Sequence, residues 1–230
     1  MRLEALRTEV LEANLEVVSR GLVLYTFGNA SGISREDGLV AIKPSGVSYD
    51  KMTPSDLVLT DLDGNIVEGS LRPSSDLATH LVLYREFPKI GGIVHTHSAY
   101  ATAWAQARRE IPCLGTTHAD YFHGTIPVTG LMHPAEIETD YELNTGRAII
   151  RRFAHLDPMA MPAVLVAGHA PFTWGKDATE AARHSVILEE VAKLAYRSVA
   201  LQHEVTALES DLRDKHFFRK NGPAAYYGQK

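Results

Sequence analysis

Two short apolar runs that each end in histidine constrain this chain more than any other feature. The run "GGIVHTHSAY" passes from Ile93 and Val94 directly into His95 and His97, and "AVLVAGHAPF" reaches His169 in the same way. Short apolar runs bounded by glycine are typical of buried strands. Because buried imidazoles need polar partners, the pattern predicts a sheet that gathers histidine side chains at its edge.

Helical and strand-like segments surround these runs, and together they predict one α/β domain over residues 1–230. A single domain is the simplest arrangement because there is no internal repeat and no linker. Its central sheet is expected to be mixed, with helices on both sides. Helices are predicted over residues 2–20, from Ser74 or Ser75 as N-cap to 87, and over 99–107, 134–154, 177–202 and about 204–220. Strands are predicted over 39–46, over 56–69 with a hairpin at Asp63-Gly64, over the apolar run that ends at residues 95–97, and over 163–175, where the strand leads into a loop. The region 112–133 is expected to be a loop with short strands.

The composition excludes several classes of protein. The chain has 230 residues, 45% of them hydrophobic, and a net charge of -5, which argues against general nucleic-acid or anionic-membrane binding. Cys113 is the only cysteine, so no intrachain disulfide can form. Neither a signal-peptide pattern nor a long apolar span is present. A cytoplasmic protein is therefore expected.

His95 and His97 are candidates for ligands of one metal ion. On a strand, side chains two residues apart share a face, about 6.6 Å apart along the axis. Two hydrogen-bonded histidines at a strand end would show the same pattern, so His95 and His97 alone leave both interpretations open. His169 also follows an apolar strand, and Asp76 offers an oxygen, so a site of three histidines and a carboxylate is favoured. Zinc suits these donors best, and manganese or cobalt are alternatives.

Three short loops rich in Gly and Ser are candidates for an anion site: "GNASG" (28–32), "KPSG" (43–46) and "PSS" (73–75). Each can offer backbone N–H groups and hydroxyls, and Lys43 adds a positive charge. One such loop alone is more often an ordinary turn. Three of them near a candidate metal ligand favour a substrate that carries a phosphate.

Longer motifs carry a resemblance to a known family over nearly the whole chain. "GNASG", "IKPSG", "PSSD", "IVHTHS", "GTTHADYFHGTIP", "GHAPFTWG" and "DKHFFRKNGPAAYYGQ" resemble the class II aldolase/epimerase family, in order and at compatible spacing. "THADYF" and "YYGQ" resemble its epimerase branch, the L-ribulose-5-phosphate 4-epimerases. The resemblance implies a zinc-dependent enzyme that interconverts L-ribulose 5-phosphate and D-xylulose 5-phosphate, with a pentulose phosphate as substrate.

The resemblance also implies roles for individual residues and an assembly. The implied zinc ligands are Asp76, His95, His97 and His169, and the implied phosphate-binding residues are Asn29, Lys43, Ser45, Gly46, Ser74 and Ser75. The implied acid/base pair is Asp120 and Tyr227, with Thr116, Glu142, His216 and Arg219 in supporting positions. The implied assembly is a homotetramer in which the tail, residues 221–230, docks on a neighbouring subunit and brings Tyr227 to that subunit's site.

Inversion at C4 explains why such an enzyme needs these groups. Direct deprotonation of C4 leaves a carbanion without an electron sink, whereas cleavage of the C3–C4 bond delivers the electrons to the C2 carbonyl, where a metal stabilises the charge. Two alternatives stay open. A sugar-phosphate aldolase similar to L-fuculose-phosphate aldolase would carry glutamate as its base at the position of Asp76. A non-catalytic scaffold, as in the adducin head domain, would have no need for the metal ligands.

Overall fold

The computed structural model describes residues 1–227, and a single seven-stranded sheet organises this part of the chain. Its strands are β1 (Asn29–Ser34), β2 (Leu39–Ile42), β3 (Val58–Asp61), β4 (Ile66–Glu68), β5 (Gly92–His95), β6 (Ala163–Leu165) and β7 (Pro171–Gly175). They lie side by side in the order β4-β3-β2-β1-β5-β7-β6. The predicted single-domain α/β fold is confirmed. The sheet, however, is antiparallel in all its strand pairs, and the parallel contact between Val128 and Leu165 is an isolated bridge.

Helices cover both faces of the sheet. They are α1 (Glu4–Ser19), α2 (Leu77–Glu86), α3 (Ala99–Gln106), α4 (Thr116–Ala119), α5 (Pro134–Glu138), α6 (Tyr141–Arg152), α7 (Ala178–Leu201) and α8 (Ser210–Lys220). Successive residues of β5 enter different cores. Ile93 packs in the core that includes Leu81 of α2, and Val94 packs in the core that includes Val10 of α1 and Ala181 of α7. This alternation is what a strand buried on both faces requires.

Several predicted boundaries differ from the structure. The helix after "PSS" begins at Leu77 with Asp76 as its N-cap, not Ser74 or Ser75. The predicted helix 134–154 is two helices, α5 and α6, and region 112–133 contains the short helix α4. The run at 163–175 does not pass from a strand into a loop but forms the antiparallel hairpin β6–β7, with His169 in its turn. "GNASG", predicted to be a loop, lies mostly in the central strand β1.

Close packing of β5 against the start of α7 fixes the strand that carries His95. A Cβ atom at Gly92 would lie 2.4 Å from the backbone of Ala178. Asp177 caps α7 by accepting a hydrogen bond from the backbone N–H of Glu180. Within the described residues, no helix combines the length and the apolar character needed to cross a membrane.

Candidate metal and anion site

The side chains of His95, His97 and His169 converge at one end of β5. Their ring centroids are 4.9 to 5.0 Å apart, and one nitrogen from each lies within 4.8 Å of the others. The Nε2 atoms of His95 and His97 are 3.1 Å apart. Two nitrogens bound tetrahedrally to one zinc ion at 2.0–2.1 Å would be separated by about 3.3 Å. The spacing therefore fits a shared ion.

Each of two histidines has a second contact that orients its ring. His95 is buried, stacks on Phe172 at 4.2 Å, and places Nδ1 2.9 Å from the carbonyl oxygen of Pro171. Nδ1–H donates to that oxygen, so the lone pair of Nε2 faces the cluster. His169 places Nδ1 3.3 Å from the hydroxyl of Tyr141. Outer contacts of this kind fix the tautomer of metal-binding histidines.

The cluster keeps the imidazoles of His97 and His169 neutral. Burial, with the neighbouring His95 and His97, lowers the pKa of His169 to about 4. Burial and His95 also lower the pKa of His97. Neutral imidazoles keep the lone pairs that a metal ion needs. This donor set fits a divalent cation of the zinc type.

Asp76 lies in the same cleft, beside the histidines but outside the tight group of their nitrogens. Asn29 donates a hydrogen bond from Nδ2 to Asp76 Oδ2 at 2.7 Å. Burial raises the pKa of the Asp76 carboxyl, but His95, His80 and the Asn29 contact together lower it below its ordinary value. An ionised carboxylate in the same cleft as three imidazoles supplies the oxygen donor expected of a fourth ligand.

The cleft that contains these groups has a volume of about 430 Å³. The predicted anion-binding residues all line it: Asn29, Lys43, Ser45, Gly46, Ser74 and Ser75. Lys43 is almost fully buried, and its amine lies 3.3 Å from the carbonyl oxygen of Pro44 and over the ring of Tyr49. Burial lowers the pKa of Lys43. In the described residues this lysine has no carboxylate partner, so the cleft has a cation available for an anion.

The predicted acid/base and supporting residues divide between two places. Glu142 lines the cleft, whereas Thr116, Asp120, His216, Arg219 and Tyr227 do not. Asp120 instead joins α4 to α8: Arg219 contacts both of its carboxylate oxygens at 3.0 Å, and His216 and Lys220 contact it at 3.0 Å. Burial raises the Asp120 pKa, but the contacts from Arg219, Lys220 and His216 outweigh it and hold that pKa below its ordinary value.

The tail lies against its own chain as far as it is described. The backbone N–H of Tyr227 donates to the carbonyl oxygen of Arg219 at 3.0 Å, and the Arg219 guanidinium lies 4.6 Å from the centre of the Tyr227 ring. The ring of Tyr227 is 59% exposed. Docking of the tail on a neighbouring subunit therefore stays a prediction, and its residues 228–230 lie outside the described part of the chain.

Sequence reasoning missed several residues of the cleft. Thr26, Phe27, Pro44 and Tyr141 line it as well. Phe27 and Tyr141 each stand within two positions of a predicted site residue, and an aromatic residue next to a candidate ligand is the signal that was available. The Phe27 ring lies 6.2 Å from the His97 ring and is 55% exposed, so it forms part of the cleft wall.

Known proteins share this fold and part of this sequence. The chain is similar to an L-fuculose 1-phosphate aldolase, at 26% identity and a TM-score of 0.78, over 92% of this chain and 94% of that one. YgbL of Klebsiella pneumoniae, described only as a candidate aldolase/epimerase/decarboxylase, shows 26% identity and a TM-score of 0.74, over 94% and 99%. An L-fuculose-1-phosphate aldolase of Thermus thermophilus shows 25% identity and a TM-score of 0.68, over 89% and 100%.

A family model also matches most of the chain. Residues 8–196 match the class II aldolase and adducin N-terminal domain. That range spans the sheet and contains all four candidate metal ligands. The chain thus belongs to the class II aldolase/adducin family.

Proposed function

We propose that the protein is a zinc-dependent sugar-phosphate epimerase that interconverts L-ribulose 5-phosphate and D-xylulose 5-phosphate. The reaction would proceed by retro-aldol cleavage of the C3–C4 bond and re-addition to the opposite face of the aldehyde. An enzyme of the class II aldolase superfamily is the coarser statement that family membership supports. The identity of the substrate and the stereochemical outcome go beyond family membership.

The observation that carries the proposal is the composition of the cleft. Converging imidazoles of His95, His97 and His169 stand in one cleft with the buried Lys43 and the hydroxyls of Ser74 and Ser75. A substrate with a phosphate at one end and neighbouring carbonyl and hydroxyl oxygens at the other would use both groups. A volume of about 430 Å³ suits a five-carbon sugar phosphate.

The chain's own groups would have distinct tasks in this reaction. A cation held by the histidines and Asp76 would act as a Lewis acid that stabilises negative charge on the substrate oxygens. Lys43 and the serines would hold the phosphate, so that the aldehyde fragment stays bound between cleavage and re-addition. The C4 hydroxyl must lose a proton on cleavage and regain it from the other face, which requires two proton-transfer groups.

Asp120 and Tyr227 are the proposed proton-transfer groups, in a site shared between subunits. Support comes from their position: in one chain both lie outside the cleft, beside α8, so a second copy would be needed to complete the site. A ring of identical interfaces would complete every site in this way. Asp120 would act as a base only where its contacts with Arg219 and Lys220 are loosened, because those contacts lower its pKa.

Asp76 favours an epimerase over an aldolase. By the resemblance described above, the aldolases carry a glutamate base at this position. Here the carboxylate is short, half-buried, and held by Asn29 at 2.7 Å, which suits a ligand better than a mobile base. The runner-up is a sugar-phosphate aldolase, favoured by the two L-fuculose-phosphate aldolases to which the chain is similar and by Glu142, a second carboxylate in the cleft.

An assay with L-ribulose 5-phosphate tests the proposal. The purified protein is incubated with the substrate, with and without a chelator, and product is followed by an enzyme specific for D-xylulose 5-phosphate. A parallel reaction contains a dehydrogenase that traps free aldehyde. Chelator-sensitive formation of D-xylulose 5-phosphate without free aldehyde is the expected result. Release of aldehyde would instead assign the protein to the aldolases, and zinc-free protein with no turnover of any sugar phosphate would favour the scaffold.

A further inference from the structure

A polar column runs between β1 and α2, behind the cleft. Asn29 and Ser31 are two residues apart on β1 and therefore lie on the same face of the sheet. They meet Asp76 and His80, which are one helical turn apart at the start of α2. Asn29 Nδ2 lies 2.7 Å from Asp76 Oδ2, and Ser31 Oγ lies 2.7 Å from His80 Nδ1. The column thus joins a candidate metal ligand to a histidine in the core.

A chain of hydrogen bonds links Tyr84, Ser31 and His80. The hydroxyl of Tyr84 lies 2.8 Å from Ser31 Oγ, and Ser31 Oγ is in turn bonded to His80 Nδ1. Burial lowers the pKa of His80 to about 3, so the ring is neutral. This chain of contacts occupies Nδ1 and leaves Nε2 as the other polar atom of the ring.

Nε2 of His80 is completely buried and has no hydrogen-bond partner in the described residues. A buried polar atom without a partner costs free energy, and an apolar side chain could fill the same space without that cost. The ring lies close to the cleft. It packs edge-on to Phe172 at 6.1 Å, and Phe172 stacks on His95. Burial has the largest effect on the pKa of His80 and lowers it. The next largest effects come from Asp76, which raises this pKa, and His95, which lowers it.

We propose that His80 is a positioning residue of the metal centre. It lies one helical turn beyond Asp76 and its ring supports Phe172 under His95, so that it orients a carboxylate and an imidazole ligand together. This inference rests on the metal site of the proposed function, not on which sugar phosphate is turned over. Partners behind the ligands of a metal typically change its affinity by about 10–100-fold when they are lost.

Zinc affinity of His80→Phe tests the proposal. Phenylalanine fills the space of the ring but removes both nitrogens. Affinity is measured by competition with a chromophoric chelator, and the visible spectrum of the cobalt-loaded protein reports ligand geometry. A loss of about 10–100-fold in zinc affinity and a changed cobalt spectrum are expected. His80→Gln, whose amide can form a hydrogen bond with Ser31 Oγ in place of Nδ1, should recover most of the affinity.

His184→Phe is the matched control. His184 is a half-buried histidine, with one hydrogen bond from Nδ1 to the carbonyl oxygen of Trp174 at 2.7 Å, and it does not line the cleft. This variant should lose comparable thermal stability and keep its zinc affinity and cobalt spectrum. Ser31→Ala, which removes the partner of Nδ1, gives a second test if His80→Phe fails to fold, and it should also weaken zinc binding.

The outcomes separate this inference from the proposed function. Unchanged zinc affinity and an unchanged cobalt spectrum in His80→Phe would overturn the positioning role and leave the metal site intact. An equal loss of zinc affinity in His184→Phe would overturn it as well, because the effect would then follow from general destabilisation. A native protein that binds no zinc would overturn both the positioning role and the proposed function.

Discussion

Lys43 shows how a single residue can serve the site while it weakens the fold. Its amine is buried beside backbone carbonyl oxygens and an aromatic ring, and no carboxylate in the described residues neutralises it. Burial of an unpaired charge is unfavourable. An anionic substrate group that binds there would offset this cost, and for this reason a lysine at this position favours phosphate binding over a structural role.

Replacement of Lys43 by methionine should therefore weaken substrate binding without loss of the metal. We expect the KM for the sugar phosphate to rise by about 10–100-fold, since a hydrogen bond to a charged group contributes about 1.5–3 kcal/mol. Zinc content should be unchanged. Lys89→Met, at an exposed lysine, is the control. A normal KM in Lys43→Met would remove this residue from the anion site.

At the scale of elements, the contact between β5 and α7 determines where His95 lies. Gly92→Ala should lower the free energy of unfolding by about 3 kcal/mol, because its Cβ would collide with the backbone of Ala178 at 2.4 Å. Denaturant unfolding measures this change. Gly130→Ala is the control, since a Cβ there meets no atom within 4 Å. Equal stability of the two variants would show that the packing of β5 on α7 is not tight.

The attachment of α8 should depend on pH through Asp120. The folded-state pKa of this carboxyl is lowered, so the stabilisation is present above its ordinary pKa of 3.8 and is lost as the pH falls through the folded-state value. Amide protons of α8 should lose protection against hydrogen exchange below about pH 4. Asp120→Asn should show the same loss at neutral pH, whereas Asp63→Asn, in an exposed turn, should not. Protection that is independent of both changes would contradict the role of these ion pairs.

The central strand β1 illustrates why some elements escape prediction from sequence. Its residues "NASGIS" are small or polar, so they lack the apolar alternation that marks a strand. The structure gives the physical reason: a Cβ at Gly32 would lie 2.8 Å from Val10 of α1, and Ser31 faces the polar column of α2. By contrast, α1, α7 and the hairpin at Asp63-Gly64 follow from local pattern and could be predicted.

At the scale of the whole molecule, the histidine cluster could be anticipated, because the ends of neighbouring strands gather at one edge of a sheet. The antiparallel order of these strands could not be anticipated. Strand pairing depends on contacts far apart in sequence, such as Asn29 opposite His95. The meeting of the Gly- and Ser-rich segments in one cleft could also be anticipated, since such segments have a local signature. The separation of Asp120 and Tyr227 from the cleft could not be read from the sequence, because it depends on how α8 packs.

Mixing two inactive variants tests whether the sites are shared. Tyr227→Phe and His97→Ala chains are combined under conditions that exchange subunits, and hybrids are confirmed by mass. Activity should return where the intact cleft of a Tyr227→Phe chain meets the intact Tyr227 of a His97→Ala neighbour. Each variant mixed with itself is the control and should stay inactive. Confirmed hybrids without recovery would place the cleft and Tyr227 of each site in one chain.

The central claim is that the three histidines and Asp76 form one metal centre, and anomalous diffraction at the zinc edge tests it most directly. Crystals of the zinc-loaded protein should show one strong peak about 2.0–2.1 Å from a nitrogen of His95, His97 and His169 and from an oxygen of Asp76. The peak should vanish in His97→Ala together with activity. A peak elsewhere, or full activity in His97→Ala without zinc in the cleft, would contradict the account.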